Sequence, residues 1–436
     1  MTLPEDGAAR LSVRQAAFIG VGAMVGAGIF ALLGAAGEVA GAAVWLSFLI
    51  AGAVAILQGY SFARLGARFP SAGGLLEYVV RAFGNGHVTG VVAWLLLAAN
   101  AIITAMVAVS FGSYASGAFA DGSAGWAKVF AVLVVTLMTV LNVLGAQAVA
   151  RAQTIVVVVV VGILTVFAIA TLSDLDPSLL AFSGYPSLSD IVSSVALTFF
   201  AFLGFGVITF TAKDLADPAR QLPRAVYLAL GIATAVYVAV ALGVFGTLTV
   251  DEVVESGGTA LAVAAQPVLG DAGYWLMTVT ALFATAGATN SGLYPAAGLC
   301  EQMAATGQFP PALGRRFGGR AAAGVLLTAA VAIVLSVGFA LTAIASIGSA
   351  VALIVFALVS AGHLRIREQT GASTVLLVLA VGSAAVVLVT FAVTTLVDEP
   401  ATAVTLVVVL LASVAADLLW KRRHRPADDA PLTTTG

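Results

Sequence analysis

Residues 20–30 read Gly20-Val21-Gly22-Ala23-Met24-Val25-Gly26-Ala27-Gly28-Ile29-Phe30, inside the first long apolar run of the chain. Four glycines fall within nine positions here. Each weakens a helix interior by about 0.5–1 kcal/mol relative to alanine. In hydrocarbon an unpaired backbone group costs more still, because no water replaces the lost hydrogen bond. Two readings follow. Small residues such as Gly22-xxx-Gly26 let a second helix pack closely. Alternatively the helix is interrupted, and its freed N–H and C=O groups hold a ligand at the membrane midplane.

Composition settles the solvent. The chain has 436 residues, 61% hydrophobic and 9% charged, whereas ordinary soluble domains carry about 25% charged residues. The expected fold class is therefore an all-α polytopic membrane protein. Cys300 is the single cysteine, which excludes an intrachain disulfide and a cysteine-based metal site. The first apolar run starts near Ala16, exceeds a signal-peptide core and leads into a second span, so no cleavable leader is expected.

A hydrocarbon core of about 30 Å takes about 20 apolar residues per helix. That ruler gives twelve spans, at 16–39, 43–65, 88–118, 126–145, 152–173, 191–212, 225–248, 273–300, 321–344, 346–363, 372–396 and 401–420. Ser346 and Gly348 are the only punctuation between the ninth and tenth. Residues 71–83, after Pro70, read as a short amphipathic helix on the membrane surface. With this division, 18 of the 19 Lys and Arg residues fall on one side, from Arg10 and Arg14 to Arg320 and Arg425, and only Lys128 on the other. Asp174, Asp176, Asp190, Asp251, Glu252, Glu255, Asp271, Asp398 and Glu399 lie opposite. The positive-inside rule then predicts a multi-pass protein of the cytoplasmic membrane with both termini cytoplasmic.

Span 6 holds a second interruption, at Phe199-Phe200-Ala201-Phe202-Leu203-Gly204-Phe205-Gly206. It enters the membrane from the side opposite to span 1. Interrupted helices at corresponding positions of two halves mark transporters built from inverted repeats. The predicted organisation is a tail at 1–15, a first repeat at 16–173, a second at 191–364, two further helices at 372–420 and a tail at 421–436.

Several ordered motifs resemble the amino acid–polyamine–organocation permeases. Val25-Gly26-Ala27-Gly28-Ile29-Phe30 is similar to the family's first-helix Ile-Gly-x-Gly-Ile-Phe. Leu65-Gly66-Ala67-Arg68-Phe69-Pro70-Ser71-Ala72-Gly73-Gly74 is similar to the segment after its second helix. Phe200 to Phe205, Asp217 to Ala225 and Met303 to Pro310 match in and after helices 6 and 8. The resemblance implies twelve transmembrane helices, a LeuT-like five-plus-five inverted repeat with discontinuous helices 1 and 6, and transport of a small-molecule amino acid.

A half-helix N-terminus carries roughly +0.5 charge and free N–H donors, which suit a carboxylate. Gly26, Ala27 and Gly28 would supply those donors, while carbonyls of Ala23, Met24, Phe200 and Ala201 would accept from an ammonium. By resemblance these segments, with Phe202 and Gly204, hold the amino acid, and Phe200 is the aromatic lid. Asn100 and Thr104 in helix 3, and Thr285, Thr289, Asn290 and Ser291 in helix 8, either line the pocket or satisfy backbone carbonyls. No carboxylate stands near the centre of a span, and Gly206 occupies a position where relatives often have an acid. A buried cationic substrate would want such a partner, so a neutral amino acid is expected.

Coupling is open between Na+, H+ and exchange. Val160 stands where some relatives carry a lysine thought to respond to protons, and sodium could be held by Thr285 or Thr289 with helix 1 carbonyls. Arg64, Lys213-Asp214 and Ala305-Thr306 also depart from the family pattern, on the cytoplasmic side where an inner gate would lie. No cofactor and no nucleic-acid partner is expected, and oligomeric state is not readable. Runner-up readings are a carrier or exchanger for another small amine or organic acid, and a non-transporting sensor on the same scaffold. A channel would need a polar or charged pore lining, and an enzyme a nucleophile–base set or a metal cluster.

Overall fold

The computed structural model describes residues 11–26, 28–71, 74–144, 147–317, 321–394, 397 and 400–423. Ala27, Ala72, Gly73, Arg10, Arg320, Arg425, Asp398 and Glu399 lie outside them, as do most of both predicted tails. The described chain is helical apart from one antiparallel pair of two-residue strands, Arg316–Phe317 with Ala321–Ala322. Nine stretches among the described residues are long and apolar enough to cross a membrane, and α1 and α12, defined below, are shorter apolar helices.

Span 1 is divided. Helix α1 (Val13–Val25) starts on a capping box, in which Ser12 Oγ accepts from Gln15 N at 3.3 Å and Gln15 Oε1 from Ser12 N at 2.9 Å. It stops at Gly26, and α2 (Ile29–Ala40) resumes after Gly28. Helix α3 (Val44–Arg68) follows, then α4 (Leu75–Phe83), which buries Leu75, Leu76, Tyr78 and Val79. The surface helix expected at 71–83 is thus packed on its apolar face against α5 (His87–Phe119) and α13 (Leu341–Arg365). Helices α6 (Ala124–Leu144) and α7 (Gln147–Ser173) complete the first half.

Span 6 departs from expectation. Helix α8 (Leu188–Thr198) gives way to a 3-10 stretch, Phe199–Asp214, rather than to an interruption. Neither Gly204 nor Gly206 leaves negative φ. The hydroxyls of Thr209 and Thr211 donate to the carbonyls three residues back, Gly206 and Ile208, both at 2.7 Å. Long 3-10 runs are uncommon and mark hinges or strained sequence.

Asp217 caps α9 (Pro218–Phe245), with Pro218 at the first position, where its missing N–H costs nothing. Helix α10 (Val250–Ser256) and the kinked α11 (Ala260–Ala305) follow, the kink lying at Gly270. Helix α12 (Ala323–Gly338) ends ten residues before Gly348, so the boundary between spans 9 and 10 falls at Phe339–Ala340. Ser346 and Gly348 sit inside α13 instead, because small residues there serve packing rather than punctuation. After the single turn α14 (Arg367–Thr370) come α15 (Thr374–Val393) and α16 (Pro400–Arg423).

Four pairs organise the bundle: α1 crosses the 3-10 stretch, α3 packs on α9, α5 on α11, and α6 on α12. A buried polar seam ties α3 to α13 and α15. In it Gln58 donates to Ala380 O at 2.7 Å and accepts from Ser360 at 2.9 Å, and Ser61 meets His363 Nδ1 at 2.9 Å. The last helix is clasped at its basic end. Buried Asp417 pairs with Lys421 at 2.8 Å and His87 at 2.6 Å, and Lys421 also donates to Gly86 O at 2.9 Å. Removing one member would strand a buried charge, which typically costs several kcal/mol.

Candidate functional site

The two glycine-bearing spans cross in direct contact. A Cβ on Gly204 would overlap the Ala23 carbonyl carbon and lie 2.6 Å from Met24 N, so the 3-10 stretch rests on bare α1 backbone. A Cβ on Gly28 would strike Ala201, and one on Gly26 would strike the Ala284 carbonyl of α11. Gly20 and Gly22 face Ile208 and Val157 side chains. The helix 1 glycines therefore serve close packing as well as an interruption.

A cavity opens beside this crossing. It offers about 110 Å³ to the centres of water-sized molecules. One water needs ~10–15 Å³ by that measure, so the space suits a ligand of roughly eight to ten non-hydrogen atoms. Ala23, Gly204, Phe200 and Asn100 line it. Met24, Ala201 and Phe202 are buried but stand behind the wall, and Gly26 and Gly28 face the packing contacts just described. Ala201 O accepts from Tyr237 at 3.1 Å, and the Phe202 ring stacks edge-on to Tyr237 at 5.2 Å. Ala27 lies outside the described residues. Gly26 N donates to Gly22 O at 3.4 Å, Gly28 N to Met24 O at 3.0 Å, and Ala31 N and Leu32 N both to Gly28 O at 3.2 Å, so the donors expected of Gly26 and Gly28 and the Met24 carbonyl are already paired within the chain.

The helix 8 polar residues separate by direction. Thr285 and Thr289 are fully buried and donate within α11, to Ala281 O at 2.6 Å and Thr285 O at 2.9 Å. A smaller cavity between α1, α7 and α11 is lined by Gly22, Val25, Gly26, Val157, Val160 and Phe283 among others, all without polar side chains. Asn290 accepts from Asn142 of α6 at 2.6 Å, away from the main cavity, while Ser291 lines it. Thr104 donates to Asn100 O at 2.7 Å.

Much of the wall was not singled out from sequence. Helix α11 adds Ala288, Gly292, Pro295, Leu299 and Gln302. Their three-and-four spacing with Ser291 is the signal that would have found them, since it places them on one helix face. Helix α13 adds Ala352, Val355 and Phe356, and α4 adds Leu75 and Leu76. No charged side chain lines the cavity among the described residues.

The two ends of the site differ. Leu75, Leu76, Phe210 and Gln302 carry the cavity toward the end of the bundle that holds most Arg and Lys residues. Beside them burial raises the Tyr78 hydroxyl far above its usual pKa, so it stays protonated. The opposite end is closed. A Cβ on Gly34 of α2 would lie 2.6 Å from Gly257 O, and Gly257 adopts φ +51°, which favours glycine. Phe30 and Tyr114 stack edge-on at 6.2 Å, with Tyr114 donating to Phe30 O at 3.3 Å.

Comparison with known proteins agrees with this architecture. The family model described as "Amino acid permease" matches residues 11–425. The chain is 32% identical to the inner membrane transport protein YbaT of Escherichia coli over 83% of this chain and 84% of that one. It is 31% identical to the uncharacterized protein MJ0609 of Methanocaldococcus jannaschii, over 83% and 84%. A vacuolar cationic amino acid transporter 2 of Arabidopsis thaliana is 27% identical over 55% of this chain and 41% of its own. With its membrane helices, its crossed glycine spans and a match along nearly its whole length, the chain belongs to the amino acid permease family.

Proposed function

We propose that the chain is a secondary carrier that moves a neutral L-amino acid across the cytoplasmic membrane by alternating access. The observation that carries this reading is an amino-acid-sized cavity at the crossing of the two glycine-bearing spans, with no charged side chain on its described wall. A zwitterion needs one group for its carboxylate and one for its ammonium, and helix ends and backbone carbonyls supply both without net charge. On this reading Ala23 faces the substrate from helix 1 and Phe200 and Gly204 from helix 6, while Met24, Gly26, Gly28, Ala201 and Phe202 hold those segments in place from behind. Asn100 contributes from helix 3.

The pairing of helices 1 with 6, 2 with 7, 3 with 8 and 4 with 9 supports a twelve-helix, five-plus-five inverted repeat, because repeats related by a two-fold axis pack each element on its counterpart. The Lys and Arg distribution supports cytoplasmic termini. On that orientation, the cavity faces inward and the Gly34–Gly257 contact seals the outside. The plant relative is named for cationic amino acids. A lysine or arginine substrate would bring a charge that seeks a partner inside the membrane, and this wall favours a neutral one.

A thermal-shift screen of the purified protein against the amino acids tests the reading, with and without sodium and at two pH values. A ligand at 100 times its Kd stabilises the protein by about 2.7 kcal/mol. The expected result is stabilisation by one or more neutral amino acids. Stabilisation by arginine or lysine alone would overturn the substrate class.

A further inference from the structure

Phe200 stands between the cavity and α13. Its ring lines the cavity, although the residue is only 1% exposed. On its far side is Gly348, which does not line the cavity. A Cβ at Gly348 would lie 2.5 Å from Cε2 and 3.0 Å from Cδ2 of Phe200, and 2.8 Å from Cγ2 of Ile102 in α5. Carbon atoms in good contact stand about 3.5–4.0 Å apart. Gly348 lies inside a regular helix without positive φ, so its backbone does not require glycine. What the site uses is the missing side chain.

We propose that Gly348 is a positioning residue for the cavity wall: the bare backbone is the seat into which the Phe200 ring is drawn back, and its depth sets how large a substrate side chain the cavity admits. A methyl group there wedges between the ring and Ile102. Ile102 is 4% exposed and embedded in the core, whereas the ring has open cavity on its other side, so the ring yields inward. The size effect rests on the cavity being the substrate site; the ring displacement does not.

Full-length protein carrying Cys300→Ala and Ser291→Cys separates the two. The introduced thiol lies on the cavity wall and is labelled with a small methanethiosulfonate reagent, without any ligand. Gly348→Ala should slow labelling at least severalfold. In the presence of Phe200→Leu the same change should have no further effect, since contacting residues that act through one another are not additive. In thermal-shift titrations, Gly348→Ala should weaken leucine or phenylalanine binding by ~10-fold or more and alanine much less, the scale on which apolar pockets read one methylene. Unchanged labelling in Gly348→Ala, or slowing that persists with Phe200→Leu, overturns the proposal. If labelling responds as expected and no amino acid binds the parent protein, the seat stands and the transport reading fails. If amino acids bind but labelling and size order do not move, the reverse holds. Should Gly348→Ala not fold, Ile102→Ala deepens the seat from the other side and should speed labelling; an unchanged rate then overturns the proposal.

Discussion

Helices 1 and 6 carry the same cue, two glycines spaced two apart in a membrane span, and their backbones answer it differently. At Gly26 and Gly28 the chain leaves the α-helix and restarts. At Gly204 and Gly206 it remains helical but winds more tightly, from Phe199 to Asp214. The difference teaches that a glycine pair permits a departure from α-helix, while the contacts around it decide the form. Gly204 presses on the Ala23–Met24 backbone, and Gly206 meets nothing within 4 Å of where a Cβ would stand. Both line the cavity, yet only one is needed for the crossing.

The sharpest way to break that comparison is to substitute the two helix 6 glycines in parallel. Gly204→Val drives side-chain atoms into backbone that cannot turn aside. It should cost more than the ~1–3 kcal/mol usual for overpacking, seen as a lost or strongly lowered melting transition. Gly206→Ala should stay within about 1 kcal/mol of the parent, with the small gain of alanine over glycine in a helix. Equal effects would erase the distinction. Next in size is helix 1: Gly26→Val strikes the Ala284 carbonyl and Gly28→Val strikes Ala201, so both should lower the melting transition as well as amino acid binding, and normal uptake by either would remove the site from that segment.

A smaller contrast separates neighbours in helix 6. Phe200→Ala should weaken ligand binding more than Phe199→Ala, because Phe200 lines the cavity and Phe199 packs on Phe356 with ring centroids 6.2 Å apart. Phe199→Ala should instead lower stability, by about 3–5 kcal/mol for a buried phenylalanine. The reverse order in binding assays would misplace the lid. The least effect is expected at helix 8. Thr285→Val loses a bond within its own helix, worth about 0.5–1.5 kcal/mol. If transport is sodium-driven, uptake should vanish when choline replaces sodium, and persistence there would remove Thr285 and Thr289 as ion ligands.

Much of this was legible in advance for a physical reason. Hydrocarbon admits only closed hydrogen bonding, so long apolar runs declare helices, and the glycine cluster at residues 20–28 declares the place where one of them stops. The boundary after Gly338 was missed because Phe339–Ala340 is as apolar as its surroundings. The winding of helix 6 left no compositional trace. At the site, Phe200, Gly204 and Asn100 stood out as an aromatic, a glycine and an amide in apolar runs, and Ala23 through its place among the helix 1 glycines. Ala352, Val355 and Leu299 did not, since in a membrane protein the residues facing a cavity and those facing lipid or core share one chemistry.

The 3-10 stretch also has a mechanical meaning. Its 16 residues span about 32 Å at ~2.0 Å per residue, against about 24 Å if wound as α-helix. Its far end is moored: Leu11 N, just before α1, donates to Asp214 O at 2.9 Å. A change of winding in helix 6 would therefore shorten a strut of fixed sequence by about 8 Å and haul the foot of helix 1 along with it. The Leu11–Leu215 bridge at the base and the Gly204 contact at mid-height thus tie the length of one segment to the position of the other.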